Sequence, residues 1–239
     1  DTALAMRAMQ RDQSKTTGKN VRTIRGEGNR QYLTGLKMGG RRVLILVDRS
    51  ASMLDETIVN IILKRNQSSR TRLNAPKWKR AVATVEWLLS QLPASSSYQL
   101  AIFNSESRFL LPQKRGWLKA TDNASMDQAM AALNKIVPEE GTSLYQAFRT
   151  IKKIQPRPDN IFLITDGLPT QGKSGSTTGK VTGQERLEHF VDAVREIPTR
   201  IPVNIILFPI EGDPMASSAF WKLAVQSKGA FVSPSKDWP

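Results

Sequence analysis

With 239 residues, 39 % of them hydrophobic, the chain is long enough for one large domain, or for one domain of roughly 200 residues with an extension. It has no cysteine and a single histidine, His189, which excludes a disulfide framework, a thiolate zinc site, a cysteine nucleophile and most histidine-based hydrolase chemistry. The formal charge of +14 favours acidic partners, but Lys and Arg are scattered along the chain as on a solvated surface, so nucleic acid is not the expected partner.

Residues 1–41 hold nine Lys/Arg against three Asp/Glu and show no apolar pattern able to close a core. They read as a basic N-terminal extension that either dangles or wraps onto the rest. A short helix fits residues 2–10, and a strand pair fits the turn at Gly26-Glu27-Gly28-Asn29. The chain opens on Asp1 rather than Met, without a signal peptide and without the roughly 20 apolar residues of a membrane span. It is therefore expected to be a processed form or an excised fragment. A membrane anchor upstream is allowed, with a lean to a bacterial envelope or periplasm.

From residue 42 strands and helices alternate. Val43-Leu44-Ile45-Leu46-Val47 is an unbroken apolar run, as in a central parallel strand covered on both faces. It breaks into Asp48-Arg49-Ser50-Ala51-Ser52-Met53. Residues 54–74 form an insertion in which Ile58, Val59, Ile61, Ile62 and Leu63 suggest a short helix or strand. A long helix follows at 75–92, with Pro76 in its first turn and Trp78, Ala81, Val82, Val85, Leu88, Leu89 and Leu92 at helical spacing.

Strands are expected at 98–103 and 108–111, joined as a hairpin, and a helix at 126–136. Gly141-Thr142-Ser143 opens the next helical stripe, which runs through Leu144, Phe148 and Ile151 to Ile154. A strand at 161–165 ends in Asp166-Gly167. The helix at 184–197 carries a stripe of Leu187, Phe190, Val191 and Val194, with His189 beside it on the helix surface. A strand at 203–208, a helix at 216–227 and a last strand at 230–232 complete the chain. This alternation implies an α/β fold: a doubly wound, mostly parallel central sheet flanked by helices, with right-handed crossovers, over residues 42–239.

In such a sheet ligands bind beyond the carboxyl ends of the strands, where strand order reverses. Asp48 and Asp166 stand where two apolar strands end, Ser50 and Ser52 follow the first, and Thr142 opens a helix. Two carboxylates and three hydroxyls make an all-oxygen set suited to a hard divalent ion. The same residues can also be read as ordinary helix caps and turns.

The order Asp48-x-Ser50-x-Ser52, then Thr142, then Asp166 resembles the metal-ion-dependent adhesion site of von Willebrand factor type A domains. The resemblance spans about residues 42–236 and implies a Rossmann-like type A fold. It further implies that Ser50 and Ser52 bind the ion directly, that Thr142 binds directly or through water, and that Asp48 and Asp166 supply charge and hold waters. The ion would be Mg²⁺, with Mn²⁺ or Ca²⁺ as alternatives. One coordination position is then left for an Asp or Glu of a protein partner, with Arg49, Ser143 and Gly167 on the ligand rim. The 54–74 insertion lies longer than usual between motif and helix, and is expected on the same rim.

Two other readings stand beside this one. Residues 167–174, Gly-Leu-Pro-Thr-Gln-Gly-Lys-Ser, satisfy the phosphate-loop pattern after a strand, but the helical pattern resumes only near Gln184, where a phosphate loop needs it at Lys173-Ser174. A binder of an anionic polymer or membrane surface would use the net charge instead. Ser50 has neither a nucleophile elbow nor a histidine base, so the chain reads as a binding module and not as an enzyme.

Overall fold

In the computed structural model, which describes residues 35–173, 175, 181–235 and 238, the first apolar run is β1 (Arg42–Asp48), buried from Val43 onward. The helix expected at 2–10 and the strand pair around Gly26 lie outside the described residues. Six more strands follow in the chain: β2 (Ser97–Phe103), β3 (Ser107–Phe109), β4 (Leu118–Lys119), β5 (Asn160–Thr165), β6 (Val203–Leu207) and β7 (Phe231–Val232). They form one sheet in the order β3-β2-β1-β5-β6-β7, with β4 also pairing β2. β1, β2, β5, β6 and β7 run parallel, whereas β3 and β4 are antiparallel to β2. Strand order therefore reverses between β1 and β5, as the doubly wound reading requires.

Alternation along the central strands builds two cores. Val43, Ile45 and Val47 of β1, with Phe162 and Ile164 of β5, face α3 (Pro76–Gln91) and α4 (Asn123–Leu133). Leu44, Leu46, Ile161 and Leu163 face the other layer, α5 (Leu144–Arg149), α6 (Gly183–Val194) and α7 (Ala216–Gln226). Each fully buried Leu, Ile or Val contributes about 1.5–3 kcal/mol, so both faces hold β1 in register. A slip by one residue would carry every side chain into the wrong layer. Leu36 and Met38, from the end of the basic extension, are buried in the first core.

Local chemistry moves several boundaries. α4 begins at Asn123, not 126, because the Asp122 carboxylate accepts from the Ser125 N–H at 3.0 Å and caps the helix. α5 stops at Arg149 and tightens into a 3-10 turn, Thr150–Lys153, which carries Ile151 into the core. α6 starts at Gly183 on a capping box between Thr182 and Glu185. Its buried residues are Phe190 and Ala193, while Val191 is exposed, because Phe190 turns edge-on to Phe220 across the layer. His189 is half-buried rather than on the surface, with Gly172 lying against its ring.

The insertion forms two short helices, α1 (Ile58–Arg65) and α2 (Ser69–Leu73). Only Ile61 of α1 is buried, and Ile58, Val59, Ile62 and Leu63 remain exposed by 47–67 %. The start of the insertion lies against the loop after β6. Ile58 packs at Gly212, in the loop after β6, and the Glu211 N–H donates to Glu56 O at 2.8 Å.

Candidate metal centre

β1 and β5 lie side by side with Val47 opposite Ile164, so their last residues come together at one edge. Asp48, fully buried, closes β1; its Oδ1 accepts from the Ser50 N–H at 2.8 Å, which folds the chain into a tight turn. Its Oδ2 accepts from Thr165 Oγ1, on the last residue of β5, at 2.7 Å. A short 3-10 turn, Ala51–Leu54, then brings Ser52 back over the strand ends. Ser50 Oγ and Ser52 Oγ lie 2.8 Å apart, and Ser52 Oγ donates to Asp166 Oδ1 at 2.9 Å. Four of the five expected residues thus share one chain of hydrogen bonds, although 118 positions separate Asp48 from Asp166.

Thr142 arrives by a separate set of backbone bonds. The Ala51 N–H donates to Glu140 O at 3.0 Å and the Glu139 N–H to Arg49 O at 2.8 Å, stitching the two loops side by side. The Thr142 carbonyl accepts from the N–H groups of Thr170 and Gln171, and the Thr142 N–H donates to Thr170 Oγ1, all at 3.0 Å. Among the described residues, no hydrogen bond joins the Thr142 hydroxyl to the other four side chains. Thr142 does not cap α5 either: Ser143 is the N-cap, accepting from the Gln146 N–H.

The three expected rim residues are half-buried or buried. Arg49 is half-buried and pairs with Glu139 at 3.1 Å. Ser143 is 1 % exposed because its hydroxyl caps α5 and its N–H donates to Asn104 O. Gly167 is buried against Asp213 and Arg186, with a Cβ there only 2.7 Å from Asp213 Oδ2.

Two participants escaped the reading of the chain. Thr165, placed one residue before Asp166, is hidden inside a strand run, and its hydroxyl supports Asp48. Lys77, in the first turn of α3, reaches Asp166 Oδ2 at 2.7 Å, Asp55 O at 3.0 Å and Ser52 O at 3.1 Å. Both side chains of this ion pair are almost wholly buried, at 2 % and 3 % exposure. The one available signal was a lysine opening a helix, where the helix dipole favours an acid.

The electrostatics favour a further cation. Burial, then repulsion from Asp166, pushes the Asp48 carboxyl up to about 7, despite hydrogen bonds from Thr165 and Ser50 that pull it down. Asp166 has Lys77 as a counter-charge, whereas the donors to Asp48 are a hydroxyl and an N–H. Among the described residues no group of three His, Cys, Asp or Glu could hold a metal. Any centre here must therefore rely on hydroxyls, and the residues present fit a hard, oxygen-binding ion. Three N–H groups of the phosphate-loop pattern are already bonded: Leu168 N–H donates to Asp213 Oδ2, and those of Thr170 and Gln171 to Thr142 O. The helix after it begins at Gly183, and Ser174 and residues 176–180 lie outside the described residues.

A model of the von Willebrand factor type A domain matches residues 43–168, more than half of the chain. No curated protein sequence matches. Among solved structures, the PilB minor pilin from Streptococcus sanguinis is similar at TM-score 0.57 and 16 % identity, over 83 % of this chain and 59 % of the pilin. A von Willebrand factor type A protein from Catenulispora acidiphila is similar at 0.53 and 15 %, over 82 % of this chain and 39 % of its own. An aerotolerance-related membrane protein from Bacteroides fragilis NCTC 9343 is similar at 0.50 and 16 %, over 82 % and 92 %. At these identities the likeness is one of fold, and the match spans less than two thirds of the first two proteins.

Proposed function

This chain belongs to the von Willebrand factor type A family, and on that premise we propose that it is a divalent-metal-dependent protein-binding module rather than an enzyme. In this reading Asp48, Ser50, Ser52, Thr142 and Asp166 hold one hard cation, Mg²⁺ first, with Mn²⁺ or Ca²⁺ as alternatives. The observation that carries it is the chain of oxygens Ser50 Oγ, Ser52 Oγ and Asp166 Oδ1 beside the buried Asp48 carboxylate. The bound ion would supply a positive centre for an Asp or Glu carboxylate of a protein partner. Neutral hydroxyls leave such an ion electron-poor, which strengthens its pull on an incoming anion.

The surface beside the site supports a partner with more than a lone carboxylate. α1 begins four residues after the Ala51–Leu54 turn and exposes Ile58, Val59, Ile62 and Leu63 together. An acidic side chain flanked by apolar ones suits this edge, because contiguous exposed apolar residues mark interaction surfaces.

Calorimetric titration of Mg²⁺ and Mn²⁺ into chelator-stripped protein tests the reading, with Asp48→Ala as control and no nucleotide present. One-site binding that disappears in the variant is the expected result. Absence of binding in the wild-type protein would sink it and move attention to the basic surface. Salt and chelator separate the modes in any later partner assay. An interaction carried by the net charge of +14 fades steeply with salt and ignores chelator, whereas a metal-bridged one is lost with chelator.

A further inference from the structure

Lys77 is the only basic side chain among the described residues that is buried. Burial of an ammonium is costly unless each proton finds an acceptor, and here all three do: a carboxylate oxygen of Asp166 and the carbonyls of Ser52 and Asp55. These acceptors matter for what they belong to. Ser52 is an expected ligand, Asp55 ends the turn that carries it, and Asp166 is the charged residue from the neighbouring strand. The two oxygens of Asp166 are divided: Oδ1 accepts from Ser52 Oγ within the oxygen chain, and Oδ2 is held by Lys77.

The helix geometry makes this placement deliberate. Pro76 starts α3 at the carboxyl edge of the sheet, and Trp78, one residue on, is locked in the core at 1 % exposure. Between these two anchors the Lys77 side chain reaches under the turn that carries Ser52. A lysine at a helix start is electrostatically disfavoured, so its position must be offset by the Asp166 charge.

We propose that Lys77 is a resident cation that shares Asp166 with the divalent ion: it holds the ligand turn in shape without the ion and weakens the ion's binding when it is present. The proposal rests on the metal-binding reading above. With both carboxylates ionised, Asp48, Asp166 and Lys77 leave the site one net negative charge rather than two. A divalent ion there retains one positive charge in excess, and that excess is what a partner's carboxylate meets. Lys77 thus trades metal affinity for ligand affinity.

The test is calorimetric titration of Mg²⁺ and Mn²⁺ into chelator-stripped full chain, as wild type, Lys77→Met and Lys77→Arg, at one pH and salt concentration. Lys77→Met should bind about tenfold tighter or more, the scale of a neighbouring unit charge, and Lys77→Arg should stay near wild type. In thermal melts Lys77→Met should fall below wild type in chelator yet gain more from saturating Mg²⁺. A merely structural lysine would give the opposite sign, because a loosened turn binds metal less well. Equal or weaker binding by folded Lys77→Met therefore overturns the proposal alone. Should that variant not fold, Lys77→Gln, which keeps a donor for the two carbonyls, is judged by the same criterion. Binding by none of the proteins overturns the metal reading and this proposal with it.

Discussion

Replacing Asp48 by Asn should stabilise the metal-free protein while abolishing its response to metal. The carboxylate is fully buried, and desolvation followed by repulsion from Asp166 raises it from 3.8 to about 7. Between those values the folded chain binds more protons than the unfolded chain, so metal-free stability falls as pH rises from about 4 to about 7. A shift of about three units bounds the cost of the ionised group at on the order of 4 kcal/mol above neutrality.

The variant should recover less than that bound, roughly 1–3 kcal/mol, because Asp48 and Asp166 share the repulsion and the existing hydrogen bonds already offset part of it. Asn fits the site. Its Oδ1 can keep the Ser50 N–H, and its NH₂ can face Thr165 Oγ1, which rotates to accept. Urea unfolding in chelator at about pH 5 and about pH 8, repeated with saturating Mg²⁺, reads the effect. Asp48→Asn should be the more stable protein at the higher pH, the gap should narrow at the lower one, and added Mg²⁺ should stabilise only wild type. A variant less stable than wild type at about pH 8 in chelator would refute the reasoning, since the fold would then already compensate the Asp48 charge.

Three other perturbations separate site from scaffold. Ser52→Ala removes the hydroxyl between Ser50 Oγ and Asp166 Oδ1, so calorimetric Mg²⁺ affinity should fall about tenfold or more while stability in chelator moves by under about 1 kcal/mol. Gly229→Ala would drive a Cβ into the Val203 carbonyl, a backbone group at the start of β6, and should lose about 3 kcal/mol or more in urea unfolding; wild-type stability would contradict that contact. Burial alone would raise Asp55, but hydrogen bonds from Lys64, the Thr57 N–H and Asn60 hold it well below the usual carboxylate range. Its contribution is therefore present above the unfolded value near 4 and is lost as pH falls through the folded one. Asp55→Asn should cost about 1 kcal/mol and speed hydrogen exchange across Ile58–Arg65, and unchanged protection there would rule out a role for Asp55 in holding the turn that leads into this helix.

Where function is concerned, the legible parts of the chain were those with local causes. The runs at 43–47 and 161–165 read as doubly covered strands because no charged residue interrupts them, and the first carboxylate after each marks the sheet edge. Strand ends alone thereby place Asp48 and Asp166 on one edge. Boundaries were less legible where a single cap decides them: Asp122 draws α4 three residues earlier than its apolar stripe suggests. The insertion misleads in a different way. Its apolar residues form a helix, but only Ile61 finds a surface to bury against, and hydrophobicity along a chain does not say whether such a surface exists.

The sequence by itself determined the α/β alternation, the strand ends and the oxygen-bearing residues on them, because period and polarity are properties of neighbours. Tertiary structure alone decided which charges those residues meet. Lys77 reads as an ordinary residue between a helix-starting Pro76 and a core Trp78, yet it closes an ion pair with a carboxylate 89 positions away. Arg49, beside the expected ligands in sequence, turns instead to Glu139 on another loop. Ion pairs act through space at a few ångströms, and chain distance carries no information about that separation until the sheet brings its strand ends together.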